Sequence, residues 1–289
     1  MAILSRAALP LGLALGDDGF AVCELTRSGR GASLRRVIFE PYEGRAPAAA
    51  IGAVVRQQGW LRRPCIAGID AAAATLHAVQ LPPMPARERR DAALVEAQRL
   101  ARDRETPLVV DLAALERGWM LAAAPQPAVH SLAATVEGAG LRVRAIDLEP
   151  LALGRALDVH AGDATLDIGA RRSTLTLSTG GVPFVRILPG GASTAPEGLA
   201  VSAGEALDFA QSRGFGAARR LLLSGAGATA EGIAELAASV LGIPASIGTP
   251  RAELSTERYP LDFVRATAPR WLTACGLALW EIEELASCA

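Results

Sequence analysis

The sequence predicts an α/β protein made of two copies of one strand pattern, with a small α+β module set into the first copy and a reduced second copy. Three observations predict it. Leu13-Ala14-Leu15-Gly16 is followed by an alternating stretch, Phe20 to Leu25, a glycine turn at Ser28-Gly29-Arg30-Gly31 and an apolar run from Leu34 to Phe39, the pattern of three antiparallel strands. The same order recurs in Leu166-Asp167-Ile168-Gly169, Ser173 to Leu177, the turn at Thr179-Gly180-Gly181 and Pro183 to Leu188. Between the copies, from about Thr75 to Leu141, the pattern changes to short strands alternating with helical stretches.

The other elements follow in order. After the first triple comes an alanine-rich helix at Ala48 to Gln58 and a strand at Pro64 to Ile69, the usual cover for a mixed sheet. The inserted segment offers a strand from Thr75 to Leu81, the corner Pro82-Pro83-Met84-Pro85 and an arginine-rich helix from Arg87 to Arg104. Strands at Leu108 to Leu112 and Trp119 to Ala123 and a helix at Ala128 to Ala139 complete it. After the second triple the spacing predicts a helix over Ser202 to Ser212 and a strand at Leu221-Leu222-Leu223-Ser224. A tight Gly225-Ala226-Gly227-Ala228 turn then opens a helix with Ile233, Leu236, Ala237, Val240 and Leu241 on one face. A closing helix places Trp271, Cys275, Ala278, Ile282 and Leu285 at steps of four and three, as core packing requires. The implied division is 1–74, a first subdomain; 75–141, the module; 142–162, a connecting helix; and 163–289, a second subdomain.

Composition narrows function. The chain has 289 residues, 51% hydrophobic, and balances 29 basic against 30 acidic side chains, which gives no electrostatic footprint for nucleic acid. All the basic residues are arginine, which excludes a P-loop lysine, a Schiff-base lysine or a lysine general base. Cys23, Cys65, Cys275 and Cys288 are widely separated and stand with only three histidines, so neither a zinc site nor a disulfide framework is indicated, and a reducing compartment is favoured. The apolar start from Ala7 to Gly16 reads as a buried strand rather than a leader. No apolar run elsewhere approaches the ~18 residues of a membrane span, so a cytoplasmic protein is expected.

Six stretches carry a family resemblance: Leu11-Gly12-Leu13-Ala14-Leu15-Gly16; Leu81-Pro82-Pro83-Met84-Pro85; Gly140-Leu141-Arg142-Val143-Arg144-Ala145-Ile146-Asp147-Leu148-Glu149-Pro150; Asp167-Ile168-Gly169-Ala170; Leu223-Ser224-Gly225-Ala226-Gly227-Ala228; and Ala274-Cys275-Gly276-Leu277-Ala278. In this order they resemble the duplicated, ribonuclease H-like fold of the actin-like ATPases, and within it the PilM family of cytoplasmic type IV pilus and competence assembly proteins. The resemblance implies that two glycine hairpins, Gly16 with Asp17 and Asp18 to Gly19, and Gly169 to Ser173, hold phosphates while Gly225, Gly227 and Ala228 receive the adenosine. It implies ATP and magnesium as cofactors, with Asp167 the metal ligand. It implies a partner, the cytoplasmic N-terminal segment of a PilN-type inner-membrane protein, docked beside His77, Val79, Leu81, Met84 and Leu94. A pilus assembly ATPase is a further implied partner, and the place of action is the inner face of the inner membrane, reached through the partner.

Departures from the family pattern modify these implications. Ala14 stands where nucleotide-binding members carry an acid, and Asp17 and Asp18 replace small or hydroxyl residues. A carboxylate ~5 Å from a phosphate charge is unfavourable by roughly 3 kcal/mol at an effective dielectric of ~20 unless a metal intervenes. Only about thirty residues, Ala192 to Arg220, separate Gly190-Gly191 from the adenosine strand, where relatives place a whole subdomain. The expectation is a pseudo-ATPase scaffold with nucleotide binding weak or lost. Its alternatives are a slowly hydrolysing assembly ATPase and a cytoplasmic component of a type II secretion system.

Two enzyme readings compete. A sugar or acetate kinase would need Asp147 or Asp163 as general base, and a dinucleotide site would need the turn Gly225 to Ala230, which lacks a following acid for the ribose. Arg87, Arg89, Arg90, Arg99, Arg102 and Arg104 suggest contact with anionic lipid, but Glu88, Asp91, Glu96, Asp103 and Glu105 interleave with them, as on a solvated helix face.

Overall fold

The computed structural model describes residues 9–28, 31–101, 103, 105–157 and 159–282. Gly29 and Arg30 of the first turn, Arg102, Arg104, Leu285, Cys288 and the segment before Leu9 lie outside the described residues. The first half begins with β1 (Leu11–Leu15), β2 (Gly19–Ser28) and β3 (Gly31–Pro41), followed by α1 (Pro47–Gln57) and β4 (Pro64–Ile69). Next come β5 (Thr75–Val79), α2 (Ala86–Leu100), β6 (Leu108–Ala114), β7 (Trp119–Pro125), α3 (Gln126–Gly138), β8 (Arg142–Leu148) and α4 (Glu149–Leu157). The second half contains β9 (Asp163–Ile168), β10 (Arg172–Leu177), β11 (Phe184–Pro189), α5 (Pro196–Ser212) and β12 (Arg220–Ser224). After a 3₁₀ turn, Ala226–Thr229, come α6 (Ile233–Leu241), β13 (Ala245–Ile247), β14 (Leu254–Ser255) and α7 (Leu261–Thr267). A second 3₁₀ turn, Ala268–Arg270, leads into α8 (Leu272–Ala278).

The duplication is explicit in the strand orders. One sheet runs β14-β3-β2-β1-β4-β8 and the other β11-β10-β9-β12-β13, so apart from β14 the two match position by position. In each, two antiparallel hairpins are followed by two parallel additions. Parallel pairs need a crossover: α1 and α5 precede the first of them, α3 and α6 the second. The segment 142–162, expected as a connecting helix, therefore opens with a strand, because the alternation from Arg142 to Leu148 pairs it in parallel with β4, and only then does α4 begin.

β2 is buried on both faces, and that fixes the layers. Phe20 and Val22 face a core with Leu11, Leu13, Ile51, Val55 and Val136, beneath α1 and α3. Ala21, Cys23 and Leu25 face the opposite core with Leu153, Leu222, Trp271 and Cys275. The helix α3 thus covers the main sheet rather than belonging to the module with which its sequence position groups it. The module's own sheet is β5-β7-β6, and its core is Val79, Ala93, Ala97, Leu121 and Ala123.

The halves share one core. Residues of β2, β3, α4, β12 and α8 meet in the cluster around the fully buried Trp271, and β14, from the second half, pairs in parallel with β3 of the first. At the centre α8 lies against α4 and β1 at backbone distance: a Cβ at Gly276 would fall 1.7 Å from the Ala152 carbonyl oxygen, and one at Gly12 1.9 Å from that of Ala274. Glycine is obligatory there because no side chain fits between the helices.

Candidate functional site

A cavity of about 500 Å³ opens where the two halves meet, lined by Gly16, Asp18, Asp167, Gly169 and Gly225 from the sequence-derived set. The two hairpins are built alike. The Gly16 N–H donates to the Gly19 carbonyl at 2.8 Å, and the Gly169 N–H to the Arg172 carbonyl at 3.0 Å, so each turn is closed by the same bond at the end of equivalent strands. Asp17 does not line the cavity; it lies 3.4 Å from the Arg172 guanidinium. Ser173, Gly227 and Ala228 do not line the cavity. The Ser173 hydroxyl, 1% exposed, donates to the Gly190 carbonyl at 2.9 Å, and Ala228 is buried in the second core.

The glycine turn after β12 has a packing cause. Gly225 has φ +83°, and a Cβ there would lie 2.4 Å from the Ile168 carbonyl oxygen; one at Gly227 would lie 2.2 Å from the Ile168 Cγ2. Both glycines let this turn sit on the second hairpin. The helix does not open directly from the turn, as the sequence suggested: a 3₁₀ turn intervenes and α6 starts only after Gly232, which is left-handed at φ 72°.

Two residues that matter here, Asp70 and Glu149, are absent from the sequence-derived set, and a third, Arg172, lies inside the Gly169 to Ser173 hairpin without being singled out. Glu149 begins α4, lines the cavity and accepts the Leu15 N–H. Burial, then the charges of Asp70 and Asp167, push its carboxyl up to about 8. Asp167 is pushed up to about 6 by burial and by Asp70, against a hydrogen bond from the Ser224 hydroxyl. The Tyr42 phenol is driven to about 12 by burial and by Glu149, Asp18 and Asp17. Glu149 was legible as an acid before Pro150 at a helix start, but nothing local shows that this helix points into the cleft. Arg270, set over the Phe39 ring at 5.5 Å, completes one wall.

The residues fit a magnesium nucleotide poorly. The floor carries Glu149 and Asp167, the cation between the hairpins, Arg172, is engaged by Asp17 and by Asp70 at 2.5 Å, and the cation in the wall, Arg270, stacks on Phe39. Among the described residues no group of three or more His, Cys, Asp or Glu side chains is disposed to hold a metal ion, so Asp167 would face a cation without two further protein ligands of that kind. Both kinase bases are committed elsewhere. Asp147 is ion-paired with Arg155. Although burial opposes it, the Asp163 carboxyl is held low by Arg220 at 2.7 Å and the His160 N–H.

The proposed partner face lies on the module. β5 is an edge strand, paired only with β7 among the described residues. His77 is half-buried on it, its imidazole pKa lowered by burial. Val79 is 8% exposed and belongs to the module's core, with Leu81 packed against it. Met84 and Leu94 are half-buried. Of the arginine-rich helix, Arg89 stacks over Trp119 at 4.1 Å and Arg99 pairs with Glu96 at 2.9 Å.

No protein-family model matches the sequence, and no curated protein does. Solved structures do. The PilM-PilN type IV pilus biogenesis complex is 22% identical, with a TM-score of 0.79 over 96% of this chain and 99% of that chain. The cytoplasmic domain of EpsL, an inner-membrane component of the type II secretion system of Vibrio cholerae, is 12% identical with a TM-score of 0.53, covering 95% of this chain and 94% of that chain. A Bacteroides thetaiotaomicron protein of actin-like ATPase fold and unknown function is 9% identical with a TM-score of 0.52, covering 96% and 98%. The chain therefore has the actin-like ATPase fold. Within that class it is built as the PilM chain is, along nearly its whole length. No helix among the described residues is long and apolar enough to cross a membrane.

Proposed function

We propose that this chain is the actin-like scaffold of a type IV or competence pilus assembly machine. In this reading it docks the cytoplasmic N-terminal segment of a PilN-type inner-membrane protein and has weak or lost nucleotide binding. The observation that carries the reading is the agreement of fold with PilM over 96% of the chain, combined with a cleft whose floor carries Asp167 and Glu149 and beside which Arg172 is already paired with Asp17 and Asp70. The module's open edge at β5, which leads to Met84 along the chain, is suited to an extended segment that adds main-chain bonds, while Leu94 stands on α2, the helix that covers β6. Held by such a partner, the protein would work at the inner face of the inner membrane, where a pilus assembly ATPase is a further contact.

A slowly hydrolysing ATPase remains a second reading, favoured by the preserved 500 Å³ cavity between the three glycine turns. A role in type II secretion rests on the EpsL fold, whose agreement is the looser of the two.

Calorimetry decides among them. The purified protein is titrated with a synthetic N-terminal segment of the PilN-type protein from its own system, and separately with ATP and magnesium. The expected result is heat with the segment, weakened by Met84→Asp, and none with millimolar ATP. No heat with the segment overturns the docking role. ATP binding tighter than about 10 μM, roughly 7 kcal/mol, overturns the loss of nucleotide.

A further inference from the structure

We propose that Arg172 is a clasp that ties the two halves of the molecule together from one hairpin to the other, so that the protein's own side chains hold the cleft between them closed without a ligand. The proposal rests on the reading of the cleft as one that nucleotide does not hold.

Arg172 opens β10 and so belongs to the second copy of the strand pattern, at its hairpin. Its guanidinium meets Asp70 at 2.5 Å and Asp17 at 3.4 Å, and both of these belong to the first copy. Asp17 stands in the turn between β1 and β2, and Asp70 directly follows β4. One cation from one wall thus binds two anions that project from separate strand ends of the opposite wall. Asp70 is held in place for this: its other carboxylate oxygen accepts the Ala72 N–H at 2.7 Å. The two carboxylates share one guanidinium and would repel one another without it, and Asp70 also acts on Glu149 and Asp167.

The other ties between the halves are mostly of a different kind: the apolar core around Trp271, the main-chain pairing of β14 with β3 and the close crossing of α8 on α4. Charged contacts add to them, Arg144 with Glu281 at 3.4 Å, the Arg155 guanidinium donating to the Gly276 carbonyl, and Arg270 over the Phe39 ring. The apolar and main-chain ties form a hinge side that does not depend on charge. The clasp does, and its members are 43%, 24% and 29% exposed for Arg172, Asp17 and Asp70, which leaves them open to screening by salt. The structure therefore separates a permanent apolar hinge from a releasable ionic closure.

The test measures the separation of the halves directly. Spin labels are placed at Gln57→Cys on α1 and Asp208→Cys on α5, both exposed. Cys288→Ser removes one native thiol, while Cys23, Cys65 and Cys275 are buried. Pulsed electron spin resonance then gives the distance distribution without nucleotide or partner, so failure of the docking role leaves this measurement intact. Arg172→Gln is expected to shift or broaden the distribution beyond its wild-type width. Arg172→Lys, which keeps the charge, should largely restore it, and ~1 M salt, where the screening length falls to about 3 Å, should reproduce the Arg172→Gln change in an Arg144→Gln background, which takes the exposed Arg144–Glu281 pair out of the salt response. Arg171→Gln, the same charge change one residue away on an exposed side chain, should leave it unaltered. A folded Arg172→Gln variant with the wild-type distribution, or an equal effect from Arg171→Gln, overturns the clasp.

Discussion

Glu149→Gln tests the electrostatics of the cleft most sharply. The wild-type carboxyl is raised from 4.5 to about 8 by burial and by the charges of Asp70 and Asp167. Between those two values the folded protein keeps a proton that the unfolded chain has released, so the folded state binds more protons. Stability from this group is complete below about 4.5, falls as pH rises, and is lost once pH passes about 8. The full rise would cost about 5 kcal/mol. Glu149 is only half-buried by area, and water reaching the cavity reduces that ceiling to about 2–3 kcal/mol. Asp167, raised from 3.8 to about 6, acts in the same direction over a lower range.

Glutamine keeps the shape and an acceptor for the Leu15 N–H but cannot ionise. Urea unfolding of both proteins at pH 5, 6.5 and 8 should show similar stability at pH 5 and an advantage of about 2–3 kcal/mol for Glu149→Gln at pH 8. If the two proteins lose stability in parallel from pH 5 to 8, the carboxyl ionises normally and the account of an acidic, cation-deficient cleft fails.

Gly276→Ala should lower stability by more than ~3 kcal/mol, because its Cβ would enter the backbone of α4. Gly198→Ala on α5, where a Cβ meets nothing within 4 Å, should instead raise it by about 0.5–1 kcal/mol; thermal unfolding of the two variants reads both. Arg63→Met should cost about 3 kcal/mol by leaving Glu24, 2% exposed and 3.1 Å from Arg63, with only the half-exposed Arg35 at 3.7 Å. Adding Glu24→Gln should recover most of that loss in denaturant unfolding.

The fold was readable because duplication is a pattern of periods and turns. The two strand triples, the strand from Pro64 to Ile69 and the helices on either side were all set by local alternation and glycine. What escaped was decided between distant residues. The parallel pairing of Arg142 to Leu148 with β4 turned an expected helix into a strand, and the apolar stripe of α3 gave no sign of whether it covers the main sheet or the module. The site was readable to the extent that glycine turns mark it. Asp70, Glu149 and Arg172 come together from strand and helix ends 23 to 102 positions apart along the chain, and no spacing rule connects them. In the same way Val79 was legible as an apolar strand residue, but its direction, into the module's core, depends on where α2 lies.

The glycines of the cleft are required by the fold itself. Gly225 and Gly227 are required by the approach of their turn to Ile168, and Gly16 and Gly169 stand in hairpins whose closing bonds lie wholly within the protein. Loss of a ligand removes none of these constraints, so the turns persist as long as the fold does. Asp17 and Asp18 are at the surface and held by no comparable packing, whereas Ala14 is partly buried against the cores around Trp271 and Ile66. Asp17 is paired with Arg172. The glycine turns are thus accounted for by packing and hairpin closure alone, so their presence does not report on a ligand; the charge of the loop, set by Asp17, paired with Arg172, and by Asp18, is what a phosphate would meet.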